Sequence, residues 1–172
     1  PFTDRQVIEA CREELVRILA LGLSGYDTPG SVNALADAQA SFAAVADLVD
    51  PYLNLLEDRK LARQIRRHFT QGKYLLGQES DFESFDRLTL LREVLDPLYG
   101  LLLDLHQSLD IETYYETTSF PRSVNYYSRH IFSDEFFDPV YYTNPQAQKP
   151  EVQQLGKLLF FEPLLSGSGQ HA

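Results

Sequence analysis

The chain has neither methionine nor tryptophan, and one cysteine, Cys11, in 172 residues. A lone thiol cannot close an internal disulfide or form a Cys-x-x-Cys pair. Disulfide-framework folds, paired-thiolate zinc sites and haem attachment through Cys-x-x-Cys-His are therefore excluded within these residues. The neighbours of Cys11 read as a helix, where a free cysteine is a small core residue. With tryptophan absent, aromatic packing falls to 11 Phe and 10 Tyr. No apolar run reaches the ~20 residues that a bilayer-spanning helix needs. No signal peptide is legible. The chain begins at Pro1 rather than Met, so a trimmed or mature product is expected, for which the missing signal carries no information. Positive charge is scarce: 15 Lys and Arg stand against 25 Asp and Glu, for a net charge of -10. A duplex nucleic-acid binder needs a basic face, so no nucleic-acid partner is expected. An acidic protein can still dock a basic partner.

What is present is helical patterning. At 44% hydrophobic residues a sizeable core can form, and the length suits one domain or one domain with a tail. The first helix is expected over about Asp4 to Leu23. Thr3 and Gln6 fit a capping box. Val7, Ile8, Cys11, Leu15, Ile18, Leu19 and Gly22 form one stripe at helical spacing. Gly25 and Pro29-Gly30 make a turn. The second helix starts near Ser31, with Leu35, Ala38, Phe42, Val45, Val49 and Leu53 inward. Asp50-Pro51 interrupts it and leaves two outcomes open: a kink, or a new helix capped by Asp50.

The third helix covers about Glu57 to Leu76, with Leu61, Ile65, Phe69, Gly72 and Leu76 inward and Gly77 at its end. Its other faces carry Arg59, Lys60, Arg63, Arg66, Arg67 and Lys73, read as a solvated face paired with Glu57 and Asp58. Ser80 and Glu83 fit a second capping box. The fourth helix shows the stripe Leu88, Leu91, Leu95, Leu98, Leu102, Leu105 and Leu109, with Asp96-Pro97 inside it. The segments 48–53 and 94–99 echo each other, either through duplication of a helical hairpin or by chance in a Leu-rich chain.

Past Ile111 the texture changes. Residues 114–142 are crowded with Tyr and Phe and broken by Pro121 and Pro139, which suggests short helices and turns, one from Pro121 to Phe132. This segment is either an interaction surface or a local satellite core. Residues 143–150 are polar with two prolines and read as a linker. A short helix follows from Glu151 to Phe161, and Ser166-Gly167-Ser168-Gly169 is flexible by composition. The expected architecture is mostly α: an antiparallel bundle of four main helices over 1–113, an aromatic-rich irregular segment over 114–142 packed on it, a linker over 143–150, and the start of another domain over 151–172.

Groups able to do chemistry are dispersed. His68, His106, His130 and His171 do not cluster, and His106 reads as a packed, hydrogen-bonded residue. No Glu-x-x-His occurs, which argues against a carboxylate-bridged di-metal bundle. Glu79, Asp81, Glu83 and Asp86 could hold a hard cation, but they fit helix capping better. No nucleophile triad, phosphate loop or dinucleotide fingerprint is present. No catalytic residue, metal site or cofactor site is expected in this chain itself.

The most informative stretch is Leu155-Gly156-Lys157-Leu158-Leu159-Phe160-Phe161-Glu162-Pro163-Leu164-Leu165-Ser166-Gly167-Ser168-Gly169. It resembles the opening of the catalytic region of bacterial di-haem cytochrome c peroxidases and their methylamine-dehydrogenase maturation relatives. The pattern there is close to LGKLLFFDPxLSGxG, followed within a few residues by Cys-x-x-Cys-His. Here that motif would begin just beyond Ala172. Glu162 stands for the common Asp, and Leu164 for a frequent Arg, so any charge contact of that Arg is missing. A weaker similarity covers Ser128 to Pro139, a segment of family members with a helical extension before the haem domain. The extension is distantly similar to imelysin-like domains.

The resemblance implies a whole protein with two c-type haems that reduces hydrogen peroxide or oxidises another substrate. It also implies export, to a periplasmic or membrane-anchored periplasmic location. Partners would be the chain's own C-terminal haem domain and a small electron-donor protein. Phe160, Phe161, Ser166, Gly167, Gly169 and His171 are the residues it places beside that haem domain. The rival readings are an imelysin-like module that binds a ligand or peptide in a tyrosine-lined cleft, and a hydrolase or metal enzyme in its own right.

Overall fold

The computed structural model describes residues 2–26, 33–78, 81–112, 128–132 and 149–162, and these are mostly helical, with no strand among them. The chain divides into two compact units, Pro1–Phe136 and Phe137–Ala172. The first unit is an antiparallel helical bundle.

Helix α1 spans Asp4–Arg17. Its capping box forms as the sequence indicates: the Gln6 N–H donates to Thr3 Oγ1 at 3.3 Å, and the Thr3 N–H donates to Gln6 Oε1 at 3.0 Å. Ile8, Cys11 and Leu15 are buried. The expected single helix to Leu23 instead ends in a π turn over Ile18–Gly22, closed by the Leu23 N–H on the Ile18 carbonyl at 2.8 Å. The chain then reverses at Gly25, whose φ of 75° suits glycine. Pro29, Gly30 and Ser31 lie outside the described residues.

Helix α2 spans Ala34–Leu55 and runs on through Pro51. Of the two outcomes left open at Asp50-Pro51, no new helix begins. Asp50 is not a cap; its carboxylate accepts from Arg66 Nε at 3.1 Å. A short connection leads to α3, Arg59–Leu76, whose first turn is capped by Asp58. Asp58 Oδ1 accepts from the N–H groups of Lys60 and Leu61 at 2.8 and 3.1 Å. All five expected inward residues, Leu61, Ile65, Phe69, Gly72 and Leu76, are buried. The Phe42 and Phe69 rings meet in the core at 5.5 Å between centroids. Of the expected partners of the basic face, Asp58 lies near enough to Lys60 and Arg63 to feel their charge, but the ion pairs among the described residues go elsewhere. Arg66 and Lys73 reach back instead to Asp50 and Asp47 of α2, which also shows that α2 and α3 run antiparallel.

The fourth helix does not begin at a Ser80–Glu83 capping box. Ser80 lies outside the described residues, and Glu83 sits in a turn. Helix α4, Arg87–Leu90, starts six residues later, where Asp86 accepts from the Thr89 N–H at 2.9 Å and the Thr89 hydroxyl at 2.7 Å. Hydrogen bonds from these N–H groups hold the Asp86 and Asp58 carboxyls below their ordinary value of 3.8. The stability each cap contributes is therefore complete above that value and lost as pH falls through the lowered one.

Helix α4 passes through a π turn, Leu91–Leu95, into α5, Asp96–Ser108. The π turn explains the one break in the leucine stripe. A π turn inserts an extra residue, which rotates the preceding helix by about a quarter turn. Downstream, Leu95, Leu98, Leu102 and Leu105 are fully buried as expected. Upstream, Leu90 and Val94 take the core positions, and Leu88 is 60% exposed. Pro97 has no N–H to give the Glu93 carbonyl four residues back. His68 Nδ1 of α3 lies 2.9 Å from that carbonyl and supplies the missing hydrogen bond. Helix α5 ends at Ser108, and two residues on the chain turns at Asp110, in the left-handed region with φ 52°.

Tyr52 donates its hydroxyl to Asp4 at 2.9 Å, which sets the end of α2 beside the start of α1. Gly22, past the other end of α1, faces Ala38 near the start of α2. The two helices are thus antiparallel. The second unit contains α6, Pro150–Phe160. The linker expected over 143–150 lies outside the described residues except for Lys149, which precedes α6, and Pro150, which opens it.

Candidate functional site

Two places in the structure carry the segments for which the sequence shows a resemblance. The first is Ser128–Phe132, strapped across α5. Arg12, in the inward face of α1, is 1% exposed. Its guanidinium lies 3.9 Å from the Tyr99 ring centroid, and its Nε donates to the Tyr99 carbonyl at 3.1 Å. Nη2 of the same guanidinium donates to the Ser128 carbonyl at 2.7 Å. One residue on, Arg129 makes a two-pronged pair with Asp104, its Nη2 2.7 Å from Oδ2. The first residue of α5, Asp96, about two turns before Asp104, accepts from the Ile131 N–H at 2.8 Å and from His130 Nδ1 at 2.8 Å. Ile131 is buried, while Phe132 is exposed.

Gly100 makes this approach feasible. A Cβ there would sit 2.8 Å from the Arg129 carbonyl oxygen, so only glycine lets the strap lie directly on the helix. Asp96→Ala removes the acceptor for both His130 and the Ile131 amide. The expected result is a cost of about 1–2 kcal/mol and faster hydrogen exchange at Ile131. An Ile131 amide that exchanges at the wild-type rate in the variant would show that Arg12 and Asp104 hold the strap without it.

The second place is α6, which buries none of its side chains. Val152, Leu155 and Leu159 lie along one face, with Leu158 beside it, all exposed. Phe160 and Phe161 are 70% and 61% exposed, their rings edge to face at 5.2 Å. Of the residues expected beside a haem domain, these two are therefore adjacent and uncovered. Ser166, Gly167, Gly169 and His171 lie outside the described residues, as do residues 114–127 and 133–142 of the aromatic segment.

Each described histidine has a ring nitrogen engaged by a backbone carbonyl or a carboxylate. His68 serves Glu93, and His130 serves Asp96. His106 is fully buried, its Nε2 3.2 Å from the Glu112 carbonyl, and burial lowers its pKa. Burial, with Glu14 nearby, raises the Cys11 thiol to about 11, which leaves it unreactive at neutral pH. No group of three His, Cys, Asp or Glu able to hold a metal ion occurs among the described residues. No described helix is long and apolar enough to cross a membrane. An apolar groove of about 510 Å³ runs between α1 and α2, lined in part by Phe2, Val7, Ala10, Ala44 and Leu48.

Sequence reasoning missed Arg12. Its signal was a cation four residues from Ile8 and three from Leu15, inside the apolar stripe. It also missed Asp96 and Asp104 as anchors, because nothing in their spacing points to residues 128–131. No family model, curated protein or solved structure matches the chain.

Proposed function

We propose that this chain is the non-catalytic helical N-terminal domain of an exported, di-haem cytochrome c peroxidase-like oxidoreductase, and that α6 begins the part that joins it to the haem domain. In the whole protein the haems would carry the reduction of hydrogen peroxide or a related electron transfer. The bundle would act as a structural extension of that domain.

The observation that carries this reading is the uncovered apolar face of α6. It lies within the same stretch, residues 155–169, whose sequence resembles the opening of the haem-peroxidase region. An exposed Leu or Phe forgoes about 1.5–3 kcal/mol relative to full burial. Contiguous apolar surface of this kind marks an interaction site. The strap supports the reading too: Ser128–Phe132, similar to the segment before the haem domain in extended family members, is anchored on the bundle by four residues of α1 and α5.

Hydrogen exchange tests the proposal. Amides from Leu155 to Phe161 are expected to exchange much faster in this chain alone than in the protein that also carries the proposed haem domain. Equal and strong protection in both, at dilute concentration, would make α6 an integral part of the helical domain and remove the reading's main support. The alternative is an imelysin-like module that captures a ligand or peptide. It calls for a cleft lined by tyrosine; among the described residues the groove between α1 and α2 is lined by Phe2, Val7, Cys11, Val45 and Leu48 and by no tyrosine.

A further inference from the structure

Among the described residues, helix α3 is the one strongly basic element, in a chain of net charge -10. From Arg59 to Leu76 it carries Arg59, Lys60, Arg63, Arg66, Arg67 and Lys73, and no acidic residue. Its two flanks are tied down. Towards α2, Arg66 Nη2 lies 3.0 Å from Asp50 and 2.8 Å from Asn54, and Lys73 Nζ lies 3.5 Å from Asp47. Towards the π turn, Gln71 donates to the Glu93 carboxylate at 2.8 Å.

Between these flanks runs an outward ridge of Arg59, Arg63 and Arg67, at successive i, i+4 positions and exposed. None of the three makes a hydrogen bond or ion pair among the described residues. Arg63 and Lys60 lie near enough to Asp58 to help lower its pKa, after the backbone N–H groups that dominate it. Tyr74, exposed, extends the ridge at the C-terminal end of the helix.

We propose that this ridge docks an acidic polypeptide segment no wider than one helix. From the first to the third arginine the ridge is about 12 Å long, and guanidinium groups recognise carboxylates in paired geometry. The width follows from the flanks. Asp50 and Asp47, paired with Arg66 and Lys73, border the ridge on one side, and Glu93, held by Gln71, borders it on the other. A flat or wide polyanion, such as an anionic bilayer or a nucleic-acid duplex, would meet these acids as well as the arginines. A narrow acidic segment laid along the arginines and Tyr74 avoids both flanks and meets acids only at the N-terminal end, where Asp58 is already engaged by the Lys60 and Leu61 N–H groups.

The test uses this chain and a fluorescein-labelled octaglutamate peptide, followed by anisotropy at low salt. Vesicles of 30% phosphatidylserine in phosphatidylcholine and a short DNA duplex are run in parallel. The expected result is saturable peptide binding that weakens with salt and falls at least tenfold in Arg59→Gln/Arg63→Gln/Arg67→Gln. Arg17→Gln, an exposed cation on α1, should leave it unchanged. Asp47→Asn/Asp50→Asn widens the positive surface and should raise duplex or vesicle binding above the wild-type level. No peptide binding, equal loss in Arg17→Gln, or tighter wild-type binding to vesicles or duplex than to peptide would overturn the proposal. The three arginines are exposed, so circular dichroism of the triple variant should match wild type. If it does not, the single Arg63→Gln variant must still weaken peptide binding measurably, and unchanged binding there would also overturn it.

Discussion

Leu95→Ala and Leu102→Ala are each expected to destabilise the bundle by ~2–5 kcal/mol, while Leu88→Ala should change stability by less than ~0.5 kcal/mol. All three belong to one leucine stripe in the sequence, so the stripe alone predicts similar costs. The structure separates them. Leu95 and Leu102 are fully buried in the core. Removing three side-chain carbons from such a site loses their transfer energy and leaves a cavity that neighbours only partly fill. Leu88 precedes the π turn at Leu91–Leu95, which rotates it out of register and into solvent. Urea unfolding with an unchanged m value reads the differences directly. Comparable losses at Leu88 and Leu95 would mean that the helix is regular through this region and that the π turn is not present in solution.

Gly72→Ala should be the most informative single-methyl change. In the middle of a helix, alanine normally gains about 1 kcal/mol over glycine. At Gly72 the added Cβ would overlap the edge of the Phe42 ring and come within 2.9 Å of Val94 Cγ1. Phe42 is fully buried against Phe69, and Val94 is held by the π turn, so neither can move freely. The overpacking is expected to outweigh the propensity gain and leave a net loss of about 1–3 kcal/mol. Phe42→Leu alone should also destabilise, but Phe42→Leu combined with Gly72→Ala should recover part of the loss. A double-mutant cycle measures that coupling. If Gly72→Ala is neutral or stabilising, α2 and α3 do not approach as closely as described.

Much of the bundle was legible because its signals are local. Thr3 and Gln6 cap α1 through neighbours three residues apart, and the stripes of α1, α2 and α3 fall on their buried faces with few exceptions. The misses have longer-range or subtler causes. The start of the fourth helix went to Ser80–Glu83 because that pair has the capping-box pattern, whereas Asp86 achieves the same with Thr89. The π turn has no sequence signature beyond Pro97 downstream, so the phase of Leu88 could not be foreseen. The pairing of Arg66 and Lys73 with α2 depends on how two helices are set against each other, not on spacing within one. The strap is the clearest case. Arg12, Asp96, Gly100 and Asp104 come from two helices and meet residues 128–131, and no periodicity links them. At the other candidate site, the apolar run of α6 was legible because Leu155, Leu158, Leu159 and Phe161 are too many apolar groups for so short a helix to cover itself.

The most direct test of the central claim is the haem content of the protein in which this helical domain is joined to the proposed haem domain. A pyridine haemochromogen assay on that protein, purified after export, is expected to give two covalently bound c-type haems per chain, with peroxide oxidising the reduced form. The chain of residues 1–172 alone should give none. A full protein with no covalent haem would contradict the account, and so would a stoichiometric Soret band in the isolated chain that is lost on mutation of its own histidines.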